Sequence, residues 1–166
     1  MAETFSGTFK LALSGTFASD ANELAAPSQA FNYSKSQVFT NGTGADQANM
    51  IFSDQRTIGA SPDDLDLSGS LSNAFGTTIS FTAIKGIIVF AASANSGNVT
   101  LGGDGSAAFI NWVSDSSDSI VIKPGGMFAL IDPSAGGYGV TNSTADVLQV
   151  AGTQNDIYDI ILIGEV

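Results

Sequence analysis

The sequence predicts an all-β protein, folded as a single-domain antiparallel β-sandwich that is jelly-roll-like and carries an N-terminal arm or edge strand. The 166 residues are 43% hydrophobic and only 13% charged, and they include 19 glycines, a composition typical of a turn-rich globular domain. Short β-branched and aromatic runs alternate with turn signals at the spacing of a sandwich or jelly roll. A chain of this length buries a sizeable core in one domain.

The N-terminal segment, residues 1–17, is predicted to be an arm or strand, and residues 18–166 are predicted to form the sandwich. Ser-Gly-Thr-Phe occurs at 6–9 and again at 14–17. Large apolar side chains at odd positions predict a strand with one buried face, and the interposed glycines indicate either bulges or an arm that packs on something else. The aromatic residues of this segment, Phe5, Phe9 and Phe17, are therefore the candidate interface residues.

The middle of the chain contains weaker signals. Residues 18–30 are predicted to form a loop with one helical turn at 22–26, and a second strand region begins at Phe31 and ends at the Asn-Gly turn of residues 41–44. Residues 45–57 form the segment with weak helical potential. Alternating leucines at 65–71 predict a half-buried strand with Leu65, Leu67 and Leu71 inward.

The next strands follow from β-branched and aromatic composition. Residues 77–92 form the longest β-prone run, with a break predicted at Lys85-Gly86. Residues 99–101 are predicted to form a short strand, and residues 109–113 a further aromatic strand.

The C-terminal third has the densest strand and turn signals and predicts an antiparallel meander. Strands at 119–122 and 127–131 flank Lys123-Pro124-Gly125-Gly126, where proline suits the second position of a type II turn and glycine the third. Further strands are predicted at 145–150 and 157–164. The last is apolar on both faces apart from Asp159, so it is expected either centrally in a sandwich or under a neighbouring subunit.

The charge balance limits the classes of partner that the chain is expected to bind. Sixteen acidic and five basic residues give a formal charge of −11, which repels a phosphate backbone and argues against nucleic acid. A basic protein surface is the natural complement, although solubility explains the charge equally well. The N-terminus lacks the pattern of a secretory signal, and no window has the apolar length of a membrane span, so neither export nor a membrane partner is expected.

The chain contains neither histidine nor cysteine, which excludes Ser-His-Asp and Cys-His nucleophiles, imidazole zinc sites, thiolate clusters and disulfides. A pair of carboxylates held at the right separation still suffices for glycoside hydrolysis. The candidates Asp104, Asp115 and Asp118 lie in Gly/Ser-rich loops, where turn formation and solvation account for them. We therefore expect no enzymatic activity and no cofactor.

A partial calcium-loop pattern starts at Asp64. Asp64, Asp66 and Ser68 occupy its first, third and fifth positions, with Gly69 at the sixth, but Phe75 stands where a bidentate glutamate is required. The alternating leucines favour a strand at this position. These three residues are a weak metal candidate, and no metal site is predicted.

The chain resembles small virion proteins of tailed bacteriophages. The resemblance covers nearly the whole chain and rests on runs at 42–49 (GTGADQAN), 52–57 (FSDQRT), 65–71 (LDLSGSL), 84–87 (IKGI), 121–126 (VIKPGG), 144–148 (TADVL) and 158–164 (YDIILIG).

The resemblance implies a non-enzymatic β-sandwich that decorates and stabilises the outside of a phage capsid, as a cement protein does. The implied partners are the major capsid protein and further copies of the chain, as a homotrimer. The implied location is the capsid surface of the virion, after synthesis in the host cytoplasm. The alternatives are a tail, baseplate or head-fibre module, including one that reads a carbohydrate receptor, and a cellular lectin-like sandwich.

Overall fold

The computed structural model describes residues 3–19, 27–103 and 106–166. These residues form thirteen strands and contain no helix. The strands are β1 (Gly7–Ala18), β2 (Ser28–Phe39), β3 (Met50–Thr57), β4 (Asp63–Asp66), β5 (Ser68–Ser72), β6 (Thr78–Ser80), β7 (Ala83–Ala91), β8 (Val99–Gly102), β9 (Ser119–Ile122), β10 (Met127–Ile131), β11 (Tyr138–Gly139), β12 (Val147–Ala151) and β13 (Ile157–Glu165). The predicted all-β antiparallel fold is confirmed.

Two sheets pack against each other as a sandwich. One has the strand order β10-β7-β13-β3, with β11 also paired to β7, and the other has the order β4-β12-β8-β9. Their facing side chains form one core, to which Val89 and Ile160 contribute from the first sheet and Leu101 and Leu148 from the second. Two hairpins, β1-β2 and β5-β6, complete the described structure.

The closing strand β13 lies in the middle of the five-stranded sheet. It is antiparallel to β7 on one side and to β3 on the other. Tyr158, Ile160 and Leu162 point into the sandwich core and are fully buried. The central position, the first of the two predicted alternatives, accounts for the inward face of β13, whereas Ile157 is exposed and Ile161 is half-buried on its outward face.

Three sequence predictions are corrected here. Residues 50–57 form β3 instead of a helix, because Met50 and Phe52 alternate into the core while eight consecutive residues pair with β13. Tertiary pairing overrides weak helical propensity in this segment. The helical turn predicted at 22–26 lies outside the described residues.

Residues 109–113 are not a strand. The side-chain nitrogen of Trp112 donates to the carbonyl of Phe109, 2.9 Å away, and the backbone of Val113 donates to Ile110, so the chain turns here. The ring of Trp112 packs against Phe128, with centroids 5.9 Å apart. The aromatic residues of this segment therefore cap the core from a loop.

The break predicted at Lys85-Gly86 lies earlier, at residues 81–82, and β7 continues through both residues. Lys85 is fully buried. Its Nζ lies 2.8 Å from a carboxylate oxygen of Glu165 and donates to the carbonyls of Ser134 and Ala135. Gly137, at φ +52°, leaves room beside the lysine stem, because a Cβ there would meet Lys85 Cδ at 3.0 Å.

Other predicted details are confirmed. Leu65, Leu67 and Leu71 are buried, although the segment divides into β4 and β5. The turn at residues 123–126 closes with a 2.7 Å bond from the Gly126 nitrogen to the Lys123 carbonyl, and Gly125 has φ +76°.

Replacing Gly125 by valine should destabilise the fold by about 1–3 kcal/mol, because a β-branched residue disfavours positive φ. Space is not the limitation, since an added Cβ would lie 3.6 Å from Ser93 Cβ. Denaturant unfolding followed by circular dichroism measures the change. The exposed Lys123→Ala is the matched control and should be nearly silent. Equal stability of Gly125→Val and the parent would contradict the turn assignment.

Lys85→Met should lower the free energy of unfolding by about 3–5 kcal/mol, because it leaves the Glu165 carboxylate buried without its partner. A double-mutant cycle with Glu165→Leu tests this explanation by denaturant unfolding. The double variant should be more stable than the sum of the single losses predicts. Strictly additive losses would show that the two side chains do not stabilise each other.

Candidate interaction surface

The most exposed element of the structure is the β1-β2 hairpin. The two twelve-residue strands pair in register from Gly7 with Phe39 to Ala18 with Ser28. Among the strands described, they pair with each other alone, and nearly all of their side chains are solvent-exposed. The predicted domain boundary after residue 17 falls inside this hairpin, near the end of β1.

The hairpin has two chemically different faces, because directly paired residues of antiparallel strands lie on the same face and neighbours along a strand alternate. One face, the apolar hairpin face, is formed by Phe9, Leu11, Leu13, Phe17, Phe31 and Tyr33. The opposite face is dominated by serine, threonine and other small residues. The hairpin is therefore amphipathic, with its apolar side largely in water.

Individual exposures show how little of the apolar hairpin face is covered. Leu13 is 60% exposed and Phe17 is 76% exposed. Gly15 lies opposite Phe31, and its missing side chain leaves room for that ring, since a Cβ would meet Phe31 Cζ at 2.9 Å. The second glycine of the Ser-Gly-Thr-Phe echo thus serves packing within the hairpin.

The base of the hairpin is anchored on the sandwich. Phe39 is buried in a small cluster with Ala48 and Ile163, against which Phe5 also packs. The Gln37 side chain donates to Asp46, 2.7 Å away, and holds the base in place. Rigidity at the base lets the rest of the hairpin present a defined surface.

A second apolar surface lies on the side of the five-stranded sheet that faces away from the core. This outer sheet face is formed by Ile51, Ile88, Phe90, Met127, Ala129 and Ile161, which share one face by their pairing. Met127 is 64% exposed, and Ile51 and Phe90 are also exposed. The hairpin base covers one end of this face, where Phe39 contacts Ile163.

The structure separates the three predicted interface residues. Phe5 packs at the hairpin base, Phe9 is half-buried near it, and Phe17 lies at the far end of the apolar hairpin face. Their role as an interface stays a prediction. The sequence did not indicate the contribution of β2, because Phe31 and Tyr33 are brought beside β1 only by the hairpin pairing.

The weak calcium candidates are engaged in local contacts. Asp64 accepts a hydrogen bond from Gln149, and Asp66 accepts one from the backbone nitrogen of Ser68, 2.8 Å away. They lie on the adjoining strands β4 and β5. Within residues 3–19, 27–103 and 106–166, no group of three or more acidic side chains is arranged to hold a metal ion.

The candidate catalytic carboxylates stabilise a turn. Asp118 accepts hydrogen bonds from the backbone of Ser114 and Asp115, and Asp115 accepts from the backbone and hydroxyl of Ser117. The two bonds from Ser117 lower the pKa of Asp115, the opposite of what a general acid requires. Asp104 lies outside the described residues.

A polar network that sequence analysis missed joins the two sheets. Arg56 on β3 donates two hydrogen bonds to Asp63 on β4, of 2.6 and 3.0 Å. The hydroxyl of Tyr158, paired opposite Arg56 on β13, donates to the same carboxylate at 2.6 Å. Asp54 accepts from the remaining side of the guanidinium. Asp54, Arg56 and Asp63 are near one another in sequence, but Tyr158 follows Asp63 by 95 residues, and only the pairing of β3 with β13 brings it to the network.

The network fixes the ionisation of its members. Burial opposes ionisation of Asp63, but the hydrogen bonds from Arg56 and Tyr158 outweigh it and hold the pKa of Asp63 below its ordinary value. Burial raises the pKa of Tyr158, and its bond to Asp63 raises it further. An open cleft bordered by residues 54–57 and 59–63 exposes one side of the network. A carboxylate with a lowered pKa suits a permanent partner of arginine better than a proton donor.

Near neutral pH, Asp63→Asn should lower the free energy of unfolding by about 1.5–3 kcal/mol, the range for hydrogen bonds to charged groups. A depressed folded-state pKa contributes stability above the unfolded value, about 3.9, and that stability is lost as the pH falls through the folded pKa. The difference in unfolding free energy between parent and variant should therefore shrink below about pH 4.

Denaturant unfolding at a series of pH values measures this difference. Asp64→Asn, which removes an exposed carboxylate from the same strand, is the control. A difference that stays constant across the acid range would contradict the assigned ionisation of Asp63.

Two further findings bear on function. No helix among the described residues is long and apolar enough to cross a membrane. No family model, no curated protein and no solved structure matches this chain.

Proposed function

We propose that the chain is a non-enzymatic structural protein of a tailed-bacteriophage virion, which binds the outside of the capsid and stabilises it. The sequence resemblance supplies the biological setting. The observation that carries the proposal is the β1-β2 hairpin, whose exposed apolar hairpin face is anchored on a rigid sandwich. An extended, exposed apolar surface of this kind suits another protein better than a small molecule.

The acidic composition fits the same role. A decoration protein folds alone, stays soluble at high concentration, and then binds a shell at many equivalent sites. A net charge of −11 favours solubility and opposes nonspecific association. Repeated sites on the shell convert individually modest contacts into tight attachment.

The proposed partners are the major capsid protein and further copies of the chain, as a homotrimer on the capsid surface. The central position of β13 accounts for its core-facing side within one subunit, but its outward side, with Ile157 exposed and Ile161 half-buried, is not covered. The exposed apolar hairpin face and outer sheet face now provide the structural reason for self-association.

A tail, baseplate or head-fibre module that binds carbohydrate is the alternative. Such a reader needs aromatic side chains around a groove formed by loops. Within the described part of the chain, the open cleft beside Arg56 is bordered by no aromatic residue. The exposed Phe75 lies next to a different, smaller groove with Phe5 and Ile51, and it is the feature that a carbohydrate-binding role would use.

The copy number of the chain in virions, and its location in heads or tails, distinguish a capsid protein from a tail or baseplate module. In purified virions of the source phage, quantitative mass spectrometry should find the chain in fixed proportion to the major capsid protein. After heads and tails are separated, it should remain with the heads. Recombinant protein should also rebind heads from which it has been stripped, and those heads should resist heating better than the stripped ones.

Two results would contradict the proposal. Recovery of the chain with separated tails would favour the tail or baseplate alternative. Absence from virions, while the protein is abundant in infected cells, would remove a structural role altogether.

A further inference from the structure

We propose that the apolar hairpin face of one subunit covers the outer sheet face of a second copy of this chain. The inference rests on the proposed function, in which several copies assemble, and it names the surfaces through which they do so. The contact is intermolecular and head-to-tail, with the hairpin of one subunit on the sheet of the next.

The hairpin itself calls for a partner. An isolated two-stranded hairpin is marginally stable in water, and a third strand or a packed face is needed to stabilise it. Here β1 and β2 pair only with each other among the strands described, and Leu11, Leu13 and Phe17 are exposed on one side. Covering this side would remove apolar area from water and hold the hairpin in one conformation.

The outer sheet face offers a complementary surface on the same molecule. Its exposed part is formed by Ile51, Phe90, Met127 and Ala129, next to the half-buried Ile88 and Ile161. Four hydrogen-bonded strands make this face rigid. An exposed apolar patch on a rigid element is typical of a protein interaction site.

The hairpin base shows that these two surfaces fit each other chemically. Phe39 belongs to the same face of the hairpin as Tyr33 and Phe31, because they alternate along β2. Within the subunit, Phe39 is buried against Ile163, at one end of the outer sheet face. The proposed contact repeats this packing in trans over the part that the hairpin base leaves uncovered.

The charges of the two surfaces select a second copy as the occupant. Lys35 is the one charged residue on the apolar side of the described hairpin strands, where it pairs with Leu11. Asp159 is the exposed charged residue among the paired positions of the outer sheet face, where it lies between Phe90 and Gln55. Glu165 lies on the same side of β13 but is buried beside Lys85. A lysine on one surface and an aspartate on the other are complementary, whereas two copies of either surface would bring like charges together.

Dimensions also allow the contact. Twelve-residue strands extend about 40 Å, whereas the nine residues of β13 extend about 30 Å. The hairpin is therefore long enough to cross the sheet of a neighbour. Because hairpin and sheet are different surfaces, the contact is heterologous and closes into a ring when the rotation between subunits permits. Three copies would form the proposed trimer.

The test measures the oligomeric state of the purified full-length chain, without capsids, by sedimentation and light scattering over a range of concentrations. The parent should associate, with a limiting mass of three times the 16.9 kDa subunit. The triple variant Leu13→Thr, Phe17→Thr, Tyr33→Thr should shift the dissociation constant upward by about 100-fold or more, since each lost apolar contact costs on the order of 1 kcal/mol. Threonine retains β propensity, so the hairpin itself should persist.

A matched control introduces the same residue on the other side of the hairpin. The triple variant Ala12→Thr, Ala30→Thr, Val38→Thr should associate like the parent.

On the outer sheet face, Met127→Thr should weaken association. Lys35→Glu and Asp159→Lys should each weaken association, and their combination should restore it in part, which a merely structural role of either residue would not produce.

Cross-linking tests the pairing of the two surfaces directly. The chain has no native cysteine, so one variant can carry Tyr33→Cys and another Ala129→Cys. Mixed under oxidising conditions, with one of them tagged, the two should form a disulfide between different subunits. Preferential cross-linking of Tyr33→Cys to itself would overturn the head-to-tail contact.

The remaining outcomes of the association experiment also distinguish the possible occupants of the apolar hairpin face. A monomer at every concentration, or an oligomer that the apolar-face triple variant leaves unchanged, would overturn the inference. If the parent is monomeric and the triple variant fails to bind heads, the occupant of the apolar hairpin face is the shell and not a second copy. That result leaves the proposed function standing, whereas absence from virions with an intact oligomer would remove the proposed function and leave this contact.

Discussion

The double pairing of β13 is the constraint on which the sandwich depends. This last strand pairs with β7 and β3, and its inward side chains contribute three fully buried residues to the core, Tyr158, Ile160 and Leu162. Without β13 the strands β7 and β3 would have no common neighbour. The five-stranded sheet therefore forms only when the C-terminal segment is in place, so its strand pairings are largely non-local and expected to form slowly.

Polar contacts near both ends of β13 help to fix its position between the neighbouring strands. Glu165, at the end of β13, lies beside the buried ammonium of Lys85 on β7. Tyr158, near its start, donates to Asp63 on β4 in the opposite sheet. Buried charges cost desolvation and contribute little net stability, but a misplaced strand leaves them unpaired at a much larger cost. In this protein the two networks lie near opposite ends of β13, and a shifted register would disrupt both.

The sequence indicates those features that local chemistry decides. Leucines alternating at 65, 67 and 71 identify a buried face, and the Lys123–Gly126 turn follows from proline and glycine conformations. Local patterns fail where a distant partner decides. Residues 50–57 are a strand because β13 pairs with them, and Lys85 remains in β7 because Glu165 neutralises it eighty residues later.

The candidate surface was predictable only in part: the sequence indicates which residues share a face but not whether that face is covered. Odd-numbered apolar residues in β1 predict one apolar face, and the structure places Phe9, Leu11, Leu13 and Phe17 on that face. The prediction that this face is buried is wrong within a single subunit, because these residues are exposed or only partly covered. Sequence periodicity identifies which side chains share a face, but the partner that covers the face does not enter the pattern.

This mismatch between pattern and exposure connects the fold to assembly. Exposed apolar residues are ordinary when scattered, but here they are aligned on one side of an extended hairpin whose other side is polar. A strand edge or apolar face left in water also promotes unspecific association, which proteins limit with charge. Lys35 on the apolar hairpin face and a net charge of −11 provide that limit, since they oppose contacts with unmatched surfaces. A neighbour that presents a carboxylate among apolar residues, as Asp159 does between Phe90 and Gln55, meets both the apolar and the charged part of the surface. The charged residues that oppose contacts with unmatched surfaces therefore also favour the one orientation in which two copies attract.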